Sequence, residues 1–148
     1  MIRAEVHIQG AKAALDGLPP QVIEAVAKKV RALAENLRHH IVADKLQGQV
    51  LRHRSGALGR SIQTETTTSG ATTTGEVFSA GDVKYAAIHE FGFHGVESCV
   101  SVLGNPFTRN VNMPERSFMR SSLADHAEII VAGIREAATA GARAAMGQ

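Results

Sequence analysis

Apolar residues recur at helical spacing in two long stretches of the chain. The first runs through Val22, Val26, Val30, Leu33, Leu37 and Ile41, at intervals of three or four residues, directly after Pro19 and Pro20. Proline suits the first turn of a helix, so the pattern predicts a long amphipathic helix over about 20–45. The second runs through Leu123, Ala127, Ile130, Ile134, Ala137, Gly141 and Ala144 and predicts a helix from about Ser117 to Met146. Because its last members are small, that end either packs very closely or frays.

Other segments alternate apolar and polar residues or are rich in β-branched residues, which favours strands. Residues 2–8 alternate and predict a half-buried strand. Threonines dominate 61–68 and 72–80, and Ser69-Gly70 lies between them, so a polar hairpin is predicted there, with a flexible linker as the alternative. Residues 96–102 and 107–111 flank Gly104-Asn105-Pro106 and predict a second hairpin or a protruding loop.

These elements predict an α+β fold, with a small antiparallel β-sheet packed against a long N-terminal helix and a C-terminal helix. A short helix is also expected from Tyr85 to Phe91, ended by Gly92. The basic, glycine-containing stretch after the first helix loses the helical period, and Ser55 is suited to cap a short helical turn through Leu58. We expect one domain over 1–148, with flexible loops near 46–54 and 93–112.

Composition excludes several classes of protein. With 44% hydrophobic and 20% charged residues in 148, the chain is globular and long enough to bury a core. Cys99 is the single cysteine, so an intrachain disulfide is excluded. No stretch has the length of a membrane span or the apolar core of a signal peptide, so a soluble protein made in a cytoplasm is expected.

The sequence His89-Glu90, followed by His94, resembles the zinc-protease pattern H-E-x-x-H. That chemistry needs two histidines four residues apart on one face of a helix. Here the spacing is five and Gly92 intervenes, so a metal site at His89, Glu90 and His94 stays only as a minor alternative. We expect the remaining histidines, among them the adjacent pair His39 and His40, to be solvated. No nucleophile or carboxylate motif predicts an enzyme, a cofactor or a metal.

A basic segment raises the alternative of a nucleic-acid-binding protein. Within the loop 47–60, the residues Arg52, His53, Arg54 and Arg60 could contact phosphates. The loop has no interleaved aromatic residues to stack on bases, and the formal net charge of the chain is only +2. A solvated loop or a protein–protein contact is therefore favoured over nucleic-acid binding.

Three separated segments resemble a family of tailed-bacteriophage virion morphogenesis and tail-completion proteins, also described as head–tail joining or minor tail proteins. They are SGALGRSI at 55–62, YAAIHEFG at 85–92 and MPERSFMR at 113–120. They match the family patterns T/S-G-x-L-x-x-S-I, Y-A-x-x-H/V-E/Q-F-G and I-P-x-R-P-F-L. The residues that carry the resemblance are Ser55, Gly56, Leu58, Ile62, Tyr85, Ala86, His89, Glu90, Phe91, Gly92, Pro114, Arg116 and Phe118.

The resemblance implies a structural protein of the virion neck that forms a ring, expected to be hexameric, and joins tail to head. Implied partners are further copies of the chain, tail terminator or tail tube proteins and head–tail connector proteins, with DNA passing nearby and no membrane. The resemblance also makes His89-Glu90 part of a structural turn, with Phe91 and Phe118 as core residues. Two departures stand out: Ser117 replaces a common proline, and 93–112 is a long connection that matches none of these family patterns.

Overall fold

The computed structural model describes residues 2–5, 17–49, 56–81 and 85–147. In chain order the elements are β1 (Ile2–Glu5), α1 (Pro20–His40) with a π-helical continuation (Ile41–Gln49), α2 (Ala57–Ser61), β2 (Ile62–Ser69), β3 (Thr72–Ser79), α3 (Tyr85–Phe91), β4 (Phe93–Val100), β5 (Pro106–Met113) and α4 (Phe118–Met146). The predicted α+β class is confirmed, as are both long helices and both hairpins.

Helices α1 and α4 pack along each other and form the larger part of the core. Val22, Val26, Leu33 and Leu37 of the predicted α1 stripe are buried, and Ile41 at the start of the π-helical turn is fully so. On α4 the stripe is only partly right. Ala127 and Ala144 are exposed, while Ser122 and Gly133 are buried, because 3.6 residues per turn rotate a seven-residue repeat gradually off one face.

The small residues of α4 allow its C-terminal half to approach α1 closely. A Cβ atom on Gly141 would lie 2.7 Å from the Cα atom of Val22, and one on Gly133 would lie 2.8 Å from the Lys29 side chain. The helix continues unbroken to Met146. Of the two outcomes expected for this end, close packing is therefore the one observed.

A three-stranded antiparallel sheet with strand order β1-β3-β2 packs on α1. Ile62 of β2 and Val77 of β3 join Leu37 and Ile41 of the helical layer in one core cluster with Phe118. Gly75 permits the approach of the sheet, since a Cβ atom there would lie 2.8 Å from the Val30 side chain. In this order β2 is an edge strand, and its outer backbone groups are unpaired within the sheet.

The loop expected at 46–54 is wrong in its first part, because the helix continues through Gln49. Lys45 and Leu46 are buried there. The Nζ atom of Lys45 lies 2.7 Å from Oδ2 of Asp125 on α4, and this hydrogen bond lowers the pKa of the Asp125 carboxyl. The loss of the apolar period was interpreted as the end of the helix. It marks only the end of the regular α-helix, which continues as a π-helix that buries Lys45. Residues 50–55 lie outside the described part of the chain.

The histidines are not all solvated as expected. The rings of His40 and His126 lie 4.4 Å apart between centroids, which packs the end of α1 against α4. Nδ1 of His40 also lies 2.6 Å from Oδ2 of Asp44. The expectation fails here because adjacent histidines on one helix diverge by about 100°, so one of them turns toward the neighbouring helix. His39 is exposed.

Strands β4 and β5 form a separate two-stranded sheet that contacts mainly itself. Its register runs from Phe93 paired with Met113 to Val100 paired with Pro106. The hairpin is longer than predicted at both strands. Among the described residues, neither long helix carries an apolar stretch of membrane-spanning length.

Candidate functional site

The first of the three family-like segments is built into the core. Gly56 precedes α2 with a φ of 71°, a conformation that favours glycine, and Ile62 is 2% exposed. Leu58 packs against the core cluster. The hydroxyl of Ser61 donates to the Leu58 carbonyl at 2.7 Å. Ser55 and the basic residues Arg52, His53 and Arg54 lie outside the described part of the chain, and so does the predicted Ser55 cap.

The second and third segments meet at the start of α4 through Glu90. This carboxylate is fully buried. One oxygen accepts the backbone N–H of Met119 at 2.8 Å, and the other accepts the backbone N–H and Nε–H of Arg120 at 3.0 and 3.1 Å. The first N–H groups of a helix have no partner within it, and they carry the positive end of the helix dipole. Glu90 therefore caps α4 from another element of the fold.

Ser117 explains why α4 needs this external cap. It stands at the N-cap position in the left-handed region, with φ 47° and ψ 40°, and its side chain makes no capping bond. The hydroxyl donates to Glu115 instead, at 2.7 Å. Proline holds φ near −65° and cannot adopt this conformation. The backbone at position 117 must therefore differ from that of a chain that carries the proline common in the family this segment resembles.

Backbone contacts complete a clamp between α3 and α4, which we define as His89, Glu90, Gly92, Ser117 and Arg120. The N–H groups of Arg116 and Ser117 donate to the carbonyls of His89 and Glu90 at 2.9 and 3.2 Å. Gly92 ends α3 with φ 74°, and a Cβ atom there would lie 2.8 Å from the Glu115 nitrogen. Arg120 binds the Glu90 carbonyl at 3.2 Å and Glu115 at 2.6 Å.

The prediction that Phe91 is a core residue is wrong. Phe91 is 55% exposed and Tyr85 is 40% exposed, whereas Ala86 and Glu90 form the buried face of α3. Residues 86 and 90 are four apart and share a face, which turns positions 85 and 91 outward. The Cζ atom of Arg120 lies 4.9 Å from the centroid of the Phe91 ring, which covers part of that ring. Phe118 is fully buried, as predicted.

His89 takes part in the clamp through its backbone. Burial, and then the charge of Arg116, lower the pKa of its imidazole. Its Nδ1 atom is buried without a hydrogen-bond partner among the described residues. Both carboxylate oxygens of Glu90 are occupied by N–H donors. The part of the chain that the structure describes contains no group of three His, Cys, Asp or Glu side chains placed to hold a metal ion. The alternative of a metal site at His89, Glu90 and His94 therefore has no geometric support.

The β4–β5 hairpin begins and ends at the clamp, since Gly92 precedes it and Pro114 follows it. Pro114 and Arg116 are both exposed in the return segment. Halfway along the hairpin, Arg109 and Glu97 form an ion pair at 2.7 Å. At the tip, Ser101 donates its N–H to the Asn105 carbonyl at 2.8 Å. The clamp thus holds a projecting two-stranded arm on the helical body.

Exposed apolar side chains gather at the far end of this arm. We define the apolar knob as Val100, Val102, Leu103 and Phe107, which are 70%, 105%, 87% and 47% exposed. No charged residue occurs from Val100 to Phe107. Val100 pairs with Pro106 and Phe107 pairs with Cys99, so the side chains of Val100 and Phe107 point to opposite faces of the hairpin tip. Exposed apolar side chains concentrated at one tip are suited to a contact with another protein. Sequence reasoning missed this knob, although the uncharged run VSVLGNPF inside a polar hairpin was a usable signal.

Comparison with known proteins identifies a family that matches most of the chain. The family model described as the phage virion morphogenesis family matches residues 27–136, which is more than two thirds of the chain and contains all three segments. No curated protein and no solved structure matches the chain significantly.

Proposed function

Because the chain belongs to the phage virion morphogenesis family, we propose that it is a structural subunit of the virion neck that joins the tail to the head. The family establishes a role in the structure or assembly of a bacteriophage virion. The observation that supports the finer role is the β4–β5 arm, which projects from the body and ends in an apolar knob. A joining subunit must reach partners beyond its own body, and an arm of this kind supplies such a contact.

We propose that the subunit works as a ring, six-fold to match the tail. Closed cyclic symmetry lets one kind of subunit surround a DNA channel and meet a different partner on each side. The polar β2–β3 hairpin, with β2 as an open edge, is suited to contacts between neighbouring subunits. The arm then serves contacts with tail terminator or tail tube proteins, or with head–tail connector proteins.

The use of Glu90 supports a non-enzymatic role. The one Glu-His pair that resembled a catalytic pattern is committed to holding α4, and its oxygens are occupied by backbone donors. A catalytic carboxylate must reach substrate or water, and a fully buried helix cap cannot. We therefore assign the three segments to architecture, with no cofactor.

Electron microscopy of a phage with a stop codon early in this gene tests the joining role. We expect filled heads and complete tails to accumulate separately, and expression of the wild-type protein in the host should restore joined particles. Normal virions from the mutant phage, or the absence of the protein from wild-type virions, would rule the joining role out.

Hydrogen exchange on isolated protein and on virions tests which segments make the contacts. The residues 93–112 and the segment 50–54 should gain protection in virions, while α1 and α4 should change little. Equal protection in both samples would exclude these segments as contacts. Strong, salt-resistant binding of the isolated protein to duplex DNA would instead favour the nucleic-acid alternative based on 47–60.

A further inference from the structure

The helical continuation after α1 buries side chains that a regular α-helix could not bury together. It is π-helical over nine residues, Ile41–Gln49, whereas π-helical structure in proteins mostly takes the form of a single turn within an α-helix. Ile41, Lys45 and Leu46 all face the core, with 0%, 9% and 3% of their surfaces exposed. Because π-helical hydrogen bonds join residues five apart, a turn is wider than in an α-helix, and the fourth and fifth residues after Ile41 both return to its face.

A regular α-helix over the same residues would turn Leu46 away from the core. At 100° per residue, Lys45 would lie about 40° from Ile41, and Leu46 about 140° from it. The long side chain of Lys45 can follow such a rotation and keep its partner Asp125, whose Oδ2 atom lies 2.7 Å from Nζ. Leu46, in contrast, would leave the core cluster that it shares with Ile41.

The polar contacts of this segment fit both geometries. Nδ1 of His40 lies 2.6 Å from Oδ2 of Asp44, and residues four apart are also neighbours on the surface of an α-helix. The pair of Lys45 and Asp125 is compatible with both as well. Among the contacts of the described residues, burial of Leu46 therefore separates the two geometries. It favours the π-helix, whereas the ordinary α-helical hydrogen bonds, which proteins use far more often, favour the α-helix.

We propose that Ile41–Gln49 is a two-state segment, with a π form that buries Leu46 and an α form that turns Leu46 outward. The free subunit holds mainly the π form, and a protein that binds the exposed Leu46 would select the α form. Shifts of helix register occur on microsecond-to-millisecond timescales. The two forms belong to the subunit itself, and only their use in assembly rests on the proposed function.

Deletion of Ala43 provides a variant without the second form. Lys45 and Leu46 would then follow Ile41 by three and four residues, and on an α-helix they would lie about 60° and 40° to either side of it. The core contacts of the π form would thus be made with ordinary α-helical hydrogen bonds. This variant should fold with Leu46 permanently buried.

Relaxation-dispersion NMR on the isolated protein tests for the two forms. Residues 41–49 of the wild type should exchange with a minor form populated to about 0.1–10%. Leu46→Ala removes the contact that favours the π form, so the minor population should rise at least five-fold. Leu58→Ala is the matched control, because Leu58 packs against the same core cluster from outside this segment. It should lower the melting temperature without changing the minor population, and the variant lacking Ala43 should show no exchange in 41–49.

Three outcomes of these measurements overturn the proposal. Flat profiles in both the wild type and Leu46→Ala would mean that the segment has one form. An equal rise in Leu58→Ala would indicate local unfolding instead of a shift between two helices. Failure of the variant lacking Ala43 to fold would contradict the geometry from which the α form is inferred.

Complementation of the phage with the early stop codon tests the use of the switch. The variant lacking Ala43 should restore at least ten-fold fewer joined particles than the wild-type protein, because it cannot present Leu46. Equal restoration by the two proteins would refute a switch used in assembly. Joined particles formed without any of this protein would refute the joining role alone, since the NMR experiment detects the two forms in the isolated subunit.

Discussion

Replacing Glu90 with glutamine tests whether the clamp works as a helix cap or as an ordinary ion pair. Glutamine keeps the size of the side chain but turns one acceptor oxygen into an NH₂ group. That group would face the backbone N–H of Met119 or Arg120, which now lie 2.8 and 3.0 Å from the carboxylate. One buried donor is thereby left unsatisfied, and the charge that complements the helix dipole is lost.

The magnitude follows from these two losses. A buried donor without a partner costs about 1–3 kcal/mol, and a partly buried charge at a helix terminus contributes up to about 2 kcal/mol. We expect Glu90→Gln to lower the free energy of unfolding by about 2–4 kcal/mol. Because small domains are stabilised by about 5–15 kcal/mol in total, this is a large share. Urea denaturation at pH 7, followed by circular dichroism, measures it as a shifted midpoint at unchanged slope.

Arg120→Gln is the matched control. It removes the charged partner of Glu90 but keeps both backbone N–H donors in place. The Arg120 side chain is 52% exposed, so solvent screening limits its ion pair to less than about 1 kcal/mol. The reasoning is refuted if the two substitutions shift the unfolding midpoint equally, because Glu90 would then act only through the guanidinium.

Three further outcomes are expected. Phe118→Ala should cost about 3–5 kcal/mol and reduce soluble yield, while Phe91→Ala should cost less than about 1 kcal/mol, as thermal melts of both would show; equal losses would contradict the observed burial. Gly141→Ala should destabilise by about 1–3 kcal/mol despite the better helix propensity of alanine, because its Cβ would meet the Val22 backbone, and a higher melting temperature would show that the helices can separate. Because the pKa of His89 is lowered in the folded protein, the unfolded chain takes up this proton at a higher pH than the folded chain does. The stability that the neutral imidazole contributes is therefore complete above the unfolded pKa of 6.5 and falls as the pH drops toward the folded pKa. His89→Gln should reduce the change in the free energy of unfolding between pH 7.5 and pH 5.5, and an unchanged pH profile would exclude this contribution of His89.

Much of the fold could be predicted from local patterns. The spacing of Val22 to Ile41 predicted α1, and the threonine-rich segments around Ser69-Gly70 predicted the β2–β3 hairpin with strand bounds within one residue of those observed. These elements follow from side-chain period and turn chemistry, which depend only on neighbours in sequence. The exit of α3 at Gly92 belongs to the same group, because the left-handed conformation there favours glycine.

The candidate site could not be predicted in the same way. Glu90 is 29 residues from Met119 in sequence, and no local pattern shows that a carboxylate will cap a helix so far along the chain. Phe91 was expected in the core because it is large and apolar, yet the buried face of α3 contains Glu90 instead. His40 and His126 were expected in solvent, and their contact depends on how α1 and α4 cross. Each error concerns the partner of a side chain rather than the element that carries it.

Because both ends of the β4–β5 arm attach at one clamp, the length of the arm is independent of the rest of the fold. Residues added or removed in pairs, one on each strand, would preserve the register and leave Gly92 and Pro114 where they are. An arm of different reach could thus be carried on the same body without a change in the clamp. Such freedom agrees with the sequence, in which the three family-like segments include 85–92 and 113–120 but not the stretch between them.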